Sequence, residues 1–161
     1  MAHHQFSDVA LPDLGPATGL AVLGFRACAF GRQDCTCIMS CYHNALGCDA
    51  DQTMGHVLQF TRLMGNAGFR KIGLSAPGCG RMTRDEVSIA CAFSAAQAWD
   101  EVALEAHLSW LVAGPVPGHL TQTVIEIADI FAGHGLAFRA PPQGEARPEG
   151  AKPVLRVIGN A

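Results

Sequence analysis

Five of the seven cysteines, Cys28, Cys35, Cys37, Cys41 and Cys48, fall in one short stretch, CAFGRQDCTCIMSCYHNALGC. Sulfur at this density serves a soft metal, a redox couple or a covalent staple. Zinc takes four ligands in a tetrahedron and an iron–sulfur cluster usually takes four thiolates, so five candidates suffice for either. The spacings, Cys-x6-Cys, Cys-x-Cys, Cys-x3-Cys and Cys-x6-Cys, match neither the CxxC pairs of common zinc modules nor the ferredoxin runs. The step from Cys37 to Cys41, with Met39, Met54 and His43 close in sequence, also suits Cu(I), which prefers thiolate and thioether. At about 100° per residue, Cys37, Cys41 and Cys48 share one helical face if the helix runs that far, and Cys35 points nearly opposite. Cys28, near the end of the preceding helix, would meet them across a helical hairpin. The competing reading is packing, because a free cysteine behaves as a small buried hydrophobe. Packing is also the expectation for Cys91, inside an all-apolar helix.

A second candidate site lies in KIGLSAPGCGRMTRDE, which reads as strand, Gly-rich turn and helix start. A turn of this kind aims backbone N–H groups at whatever sits before the helix, where the helix dipole favours an anion. Gly78, Cys79, Gly80, Arg81 and Arg84 are the candidate anion-binding residues. From Arg62 to Arg84 there are five basic residues and no acidic one. A thiol beside arginines at a helix start has a lowered pKa, so Cys79 is a candidate nucleophile. The motif lacks the Gly-Lys-Ser/Thr ending of a P-loop, and the spacing from Cys79 to Arg84 is one residue short of the Cys-x5-Arg loop of thiol phosphatases. An ordinary connecting turn is the favoured explanation, since Gly and Pro are the default residues of loops. No glycosidase carboxylate pair, Ser/His/Asp signature or HExxH is present, so there is no recognisable catalytic signature.

The elements that would position these residues are mostly helical. Ala17 to Phe30 is apolar nearly all round, with Arg26 its only charge, and reads as a buried helix. Asp34 can cap a second helix, Thr36 to about Leu46, with Gly47 as its stop. A third begins at Asp51 or Thr53 and ends by Gly68, with Met54, Val57, Leu58, Thr61 and Met64 on one face. Thr83 and Glu86 stand in a capping-box relation ahead of VSIACAFSAAQAW, the expected central helix, with Val87, Ala90, Cys91, Ser94 and Ala98 buried. Asp100 can cap a further helix through Ala113, unless Thr83 to Ala113 is one long kinked helix. Leu120, Val124, Ile127 and Phe131 form the stripe of a last helix, closed by Gly133 or Gly135. Trp99, Trp110, Phe93 and Phe131 are expected in the core, and His107 on a solvated face. Lys71 to Leu74 and Val154 to Ile158 are strand candidates for one two-stranded ribbon.

These elements describe a mainly α, single-domain fold of five to six helices with a minor two-stranded β element. The expected organisation is a helical domain over 1–140, a Pro/Gly-rich linker over 141–153 and a C-terminal strand or tail over 154–161. A chain of 161 residues buries roughly two thirds of its unfolded surface and needs no staples. The formal charge of −3 provides no global basic field, so nucleic acid is not an expected partner. The apolar runs are too short to span a bilayer, and the loose, Pro-containing start has no secretory pattern, so membrane association is not expected and a cytoplasmic location is. Thiols stay reduced there, and an odd count of seven fits metal or redox chemistry better than a full set of disulfides. The expectation is therefore a thiolate-rich binding or regulatory protein that holds zinc, copper or an iron–sulfur cluster, or senses redox state. A metal-free helical interaction module, with a protein partner or a second copy, is the first alternative. A small anion binder or enzyme using Cys79 with Arg81 and Arg84 is the second.

Overall fold

The computed structural model describes residues 6–67 and 70–141. In chain order these are strand β1 (Phe6–Ala10), helices α1 (Gly15–Ala29), α2 (Thr36–Leu46) and α3 (Ala50–Ala67), strand β2 (Arg81–Thr83), and helices α4 (Arg84–Gln97), α5 (Glu101–Val112) and α6 (Gly118–Gly133). The fold is mainly α with one two-stranded antiparallel sheet. No helix among the described residues is long and apolar enough to cross a membrane.

The helix boundaries follow local chemistry. Gly47, at φ 53°, ends α2 in a backbone conformation that disfavours a Cβ. At the start of α4 the Thr83 side chain accepts from the Glu86 N–H while the Glu86 carboxylate accepts from the Thr83 N–H, the reciprocal capping box. α4 and α5 are two helices, not one kinked rod, because Asp100 caps α5 by accepting from the Ala103 N–H. The stripe of α6 is fully buried at Leu120, Val124, Ile127 and Phe131.

α4 lies at the centre, against α5 and α6 on one side and α1 and the sheet on the other. A chain of aromatic rings runs through the main core. Phe25 meets Phe60 edge-on at 4.7 Å between centroids, Phe60 and Phe93 are 5.8 Å apart, and Phe138 joins Phe93 to Phe131. A smaller core of Val9, Leu14, Val22, Met82, Val87, Ala90 and Cys91 sits under the sheet.

Several expectations are corrected. The strand pair joins Phe6–Ala10 to Arg81–Thr83, with Phe6 opposite Thr83 and Ala10 opposite Arg81. Within the N-terminal segment expected to be loose, Phe6–Ala10 is thus a strand, and Lys71 to Leu74 forms none, its neighbouring polar groups being bound instead by side chains of α4. Val154 to Ile158 and the linker lie outside the described residues. Ala98 is exposed and Ser94 only half-buried. Trp99 is 76 % exposed rather than in the core, because it stands past the end of α4 in a left-handed turn at φ 56°. There the Trp99 N–H donates to Ala96 and the Asp100 N–H to Ala95, a helix ending that usually employs glycine. His107 is half-buried, and its Nδ1 has no partner. Burial holds that imidazole below its ordinary pKa.

Candidate functional site

All seven cysteines are free, and they fall into two physical classes. Cys28 is buried at the end of α1, 3.8 Å from the Met54 sulfur of α3. Burial pushes its thiol up to about 11, against a smaller opposing pull from Thr61. Cys91 is buried inside α4, and desolvation likewise raises it to about 11. Both are neutral packing groups near pH 7 and poor nucleophiles.

The second class belongs to α2 and its ends. α2 buries Ile38, Tyr42 and Leu46, four residues apart on one stripe. That stripe fixes the rest of the circumference: Cys37 and Cys41, on its flank, face water. α2 can approach α1 closely because residue 24 is glycine. A Cβ there would collide with the Tyr42 phenol, whose hydroxyl donates to the Leu20 carbonyl at 3.0 Å. Cys48, expected on the Cys37 face, instead lies beyond the Gly47 stop in the single turn Gly47–Asp49, exposed and 4.0 Å from an Asp49 carboxylate oxygen. His43, close in sequence to Cys37 and Cys41, is exposed and pairs with Asp51 at 3.4 Å.

Cys35 holds a distinct position. It is the residue at which α2 begins, in extended conformation at φ −63° and ψ 123°, where Asp34 was expected. Its thiol is half-buried, and its pKa is lowered first by the N–H groups of Ile38 and Cys37, then by the Cys37 side chain and the charge of Arg32. The cause is the same as for any anion at a helix start: unsatisfied N–H groups and the positive end of the dipole favour thiolate over thiol. The five cysteines do not converge on one point. Among the described residues no group of three or more His, Cys, Asp or Glu side chains is placed to hold a metal ion.

The second candidate, the Gly78 to Arg84 turn, is organised from below by Arg26, the lone charge of α1. Arg26 is fully buried, and its guanidinium donates to both carboxylate oxygens of Glu86, at 2.7 and 3.0 Å. Its remaining N–H groups reach the carbonyls of Ala76, Cys79 and Arg81. The Glu86 carboxylate also accepts from the N–H groups of Ser75 and Thr83. Asp85, beside it, accepts from Gly73 N–H and takes both ends of the Arg70 guanidinium. The turn thus directs carbonyls inward to a buried cation, and the anion position at the start of α4 is filled by the chain's own Asp85 and Glu86. Cys79 is half-buried there and its N–H is bonded to Ala76, while Arg81 and Arg84 are exposed. A lone Arg in an apolar helix was a legible signal that a buried carboxylate exists, although Glu86 is 60 residues away and the chain order does not identify it.

Comparison with known proteins adds no assignment, since no family model, curated protein or solved structure matches this chain.

Proposed function

We propose that this chain is a thiol-based redox-responsive binding protein, with Cys35 as the sensing thiol and Cys37 as the thiol that resolves it. The observation that supports the reading is the start of α2. A thiol stands at the residue where α2 begins, its pKa is lowered by the neighbouring backbone N–H groups of Ile38 and Cys37, and a second, exposed thiol stands two residues on. The chemistry needs a peroxide as oxidant. The Cys35 thiolate attacks one peroxide oxygen, the O–O bond breaks, and Cys35 becomes a sulfenic acid while the other oxygen leaves as water after taking up a proton. The Cys37 thiol then attacks the sulfenic sulfur, loses its proton and releases a second water as the disulfide forms. The same reading requires a compartment where thiols are reduced at rest.

Alkylation of native protein with iodoacetamide, followed residue by residue by mass spectrometry, tests it. Cys35 should react fastest at pH 7, and Cys28 and Cys91 should react only on unfolding. A sulfenic acid trapped at Cys35 by dimedone after peroxide treatment should accumulate in Cys37→Ser. Equal rates at Cys35, Cys37, Cys41 and Cys48 would remove the proposal. Stoichiometric zinc, copper or iron on anaerobically purified protein, lost in Cys37→Ser with Cys41→Ser, would replace it by the metal-holding reading.

A metal-free interaction module is favoured by a separate observation. Trp99 and Val102 are 76 % and 83 % exposed beside Asp100 and Glu101 at the start of α5. Tryptophan is over-represented among the residues that dominate protein interfaces.

A further inference from the structure

A cleft of about 580 Å³ opens between α1, α3 and residues 70–74, away from the α2 thiols. Its floor is the edge-on pair Phe25 and Phe60 together with Met64 and Ile89, all of them buried. Ile72 and Leu74 form a wall. The mouth is basic: Lys71 is exposed there, and Arg70 stands beside it.

From this arrangement we infer that the cleft is a binding site for a small anionic amphiphile, a free medium-chain carboxylic acid, with its apolar body on the two phenylalanines and its carboxylate at Lys71. Volume and lining agree with small-molecule sites, which occupy about 300–1,000 Å³ and combine apolar walls with a few polar groups. The sign of the ligand's charge follows from the mouth. From Arg62 to Arg84 the chain contains no acidic residue, although its net charge is −3. Arg70 is a wall more than an anchor, because Asp85 and the face of Trp110, 4.3 Å from its guanidinium carbon, already hold it. Lys71 is the residue that reads charge. The size and sidedness of the cleft point to a free acid and not to the surface of a bilayer.

Calorimetric titration of the full chain with decanoate, decanol and decylammonium tests this. Decanoate should bind saturably, about tenfold more tightly than decanol, with decylammonium weakest and with affinity falling as salt is added. Lys71→Glu should remove the preference for decanoate over decanol. Gly65→Leu should block all three, since Gly65 lines the cleft and a Cβ there meets nothing within 4 Å, which leaves room for a longer side chain to occupy it. That change also replaces glycine by a better helix former in α3, so the folded state survives it. Equal affinities for the three probes, or decanoate binding unchanged in Lys71→Glu, would reduce the cleft to unspecific apolar uptake and overturn the proposal. Absence of saturable decanoate binding below about 1 mM, a weak affinity on any scale, or binding that survives Gly65→Leu, would overturn it as well. Uptake by anionic lipid vesicles in place of free decanoate would assign the basic mouth to a membrane surface and likewise overturn it.

Discussion

The α2 hairpin and the turn before α4 each carry cysteine, glycine and basic residues, yet the fold employs them in opposite ways. In the hairpin the apolar residues Ile38, Tyr42 and Leu46 do the anchoring, and the sulfur is left at the surface or at the helix start. In the turn the polar groups themselves are the anchor, drawn inward around Arg26 and Glu86, and Cys79 is carried along by a carbonyl bound from beneath. Chemical residues are available for chemistry where something else holds the backbone. Where those residues hold the backbone, they are spent on structure.

The sharpest way to break this comparison is to remove the buried cation. Arg26→Met leaves the Glu86 carboxylate buried without its partner and frees the carbonyls of Ala76, Cys79 and Arg81. The expected loss is about 3–5 kcal/mol in urea unfolding, with part of it recovered by adding Glu86→Leu, since an apolar pair costs less than one unpaired charge. A melt near wild type would mean that the turn is held by something other than this ion pair. In the same variant the α2 thiols should keep their order of alkylation rates as long as the protein is folded.

Gly24→Ala attacks the other region and should cost about 1–3 kcal/mol, the usual range for overpacking a filled site. The new methyl meets Tyr42 first at the phenol oxygen, so Gly24→Ala and Tyr42→Phe should couple in a double-mutant cycle. Additive losses would show that α2 is not seated on α1 through this contact. Faster alkylation at Cys35 in Gly24→Ala would show that the seat also protects the thiol.

The smallest effect is a pH dependence set by the two buried thiols outside both regions' exposed sulfur, Cys28 at the end of α1 and Cys91 inside α4. Cys28 and Cys91 titrate near 11 in the folded protein and lower when unfolded. A raised folded pKa means that the unfolded chain loses its protons first. Stability from these two groups is therefore fully present below about pH 8.5, the free-thiol value, and is lost as pH rises towards 11. Urea midpoints measured from pH 8 to 11 should fall, and Cys28→Ala with Cys91→Ala should flatten that slope. An unchanged slope would show that other groups carry the alkaline loss.

Local order was legible because its causes are local. The Gly47 stop, the Thr83 and Glu86 box, the Asp100 cap and the apolar stripe of α6 each involve residues within about three helical turns at most, which chain order places together. Composition and periodicity by themselves determined a mainly α fold, and they marked Cys28, Cys35, Cys37, Cys41, Cys48 and Cys79 as groups worth locating. Which of them face water depended on which side of α2 meets α1 and α3, and helical spacing relates residues to one another without identifying the buried side. Only the tertiary structure decided that Arg26 finds Glu86, that Phe6–Ala10 pairs with Arg81–Thr83, and that Trp99 lies outside the core. Those outcomes join segments far apart in the chain, where pairing is chosen by the combined burial and hydrogen-bonding of the whole fold and no local pattern specifies the partner.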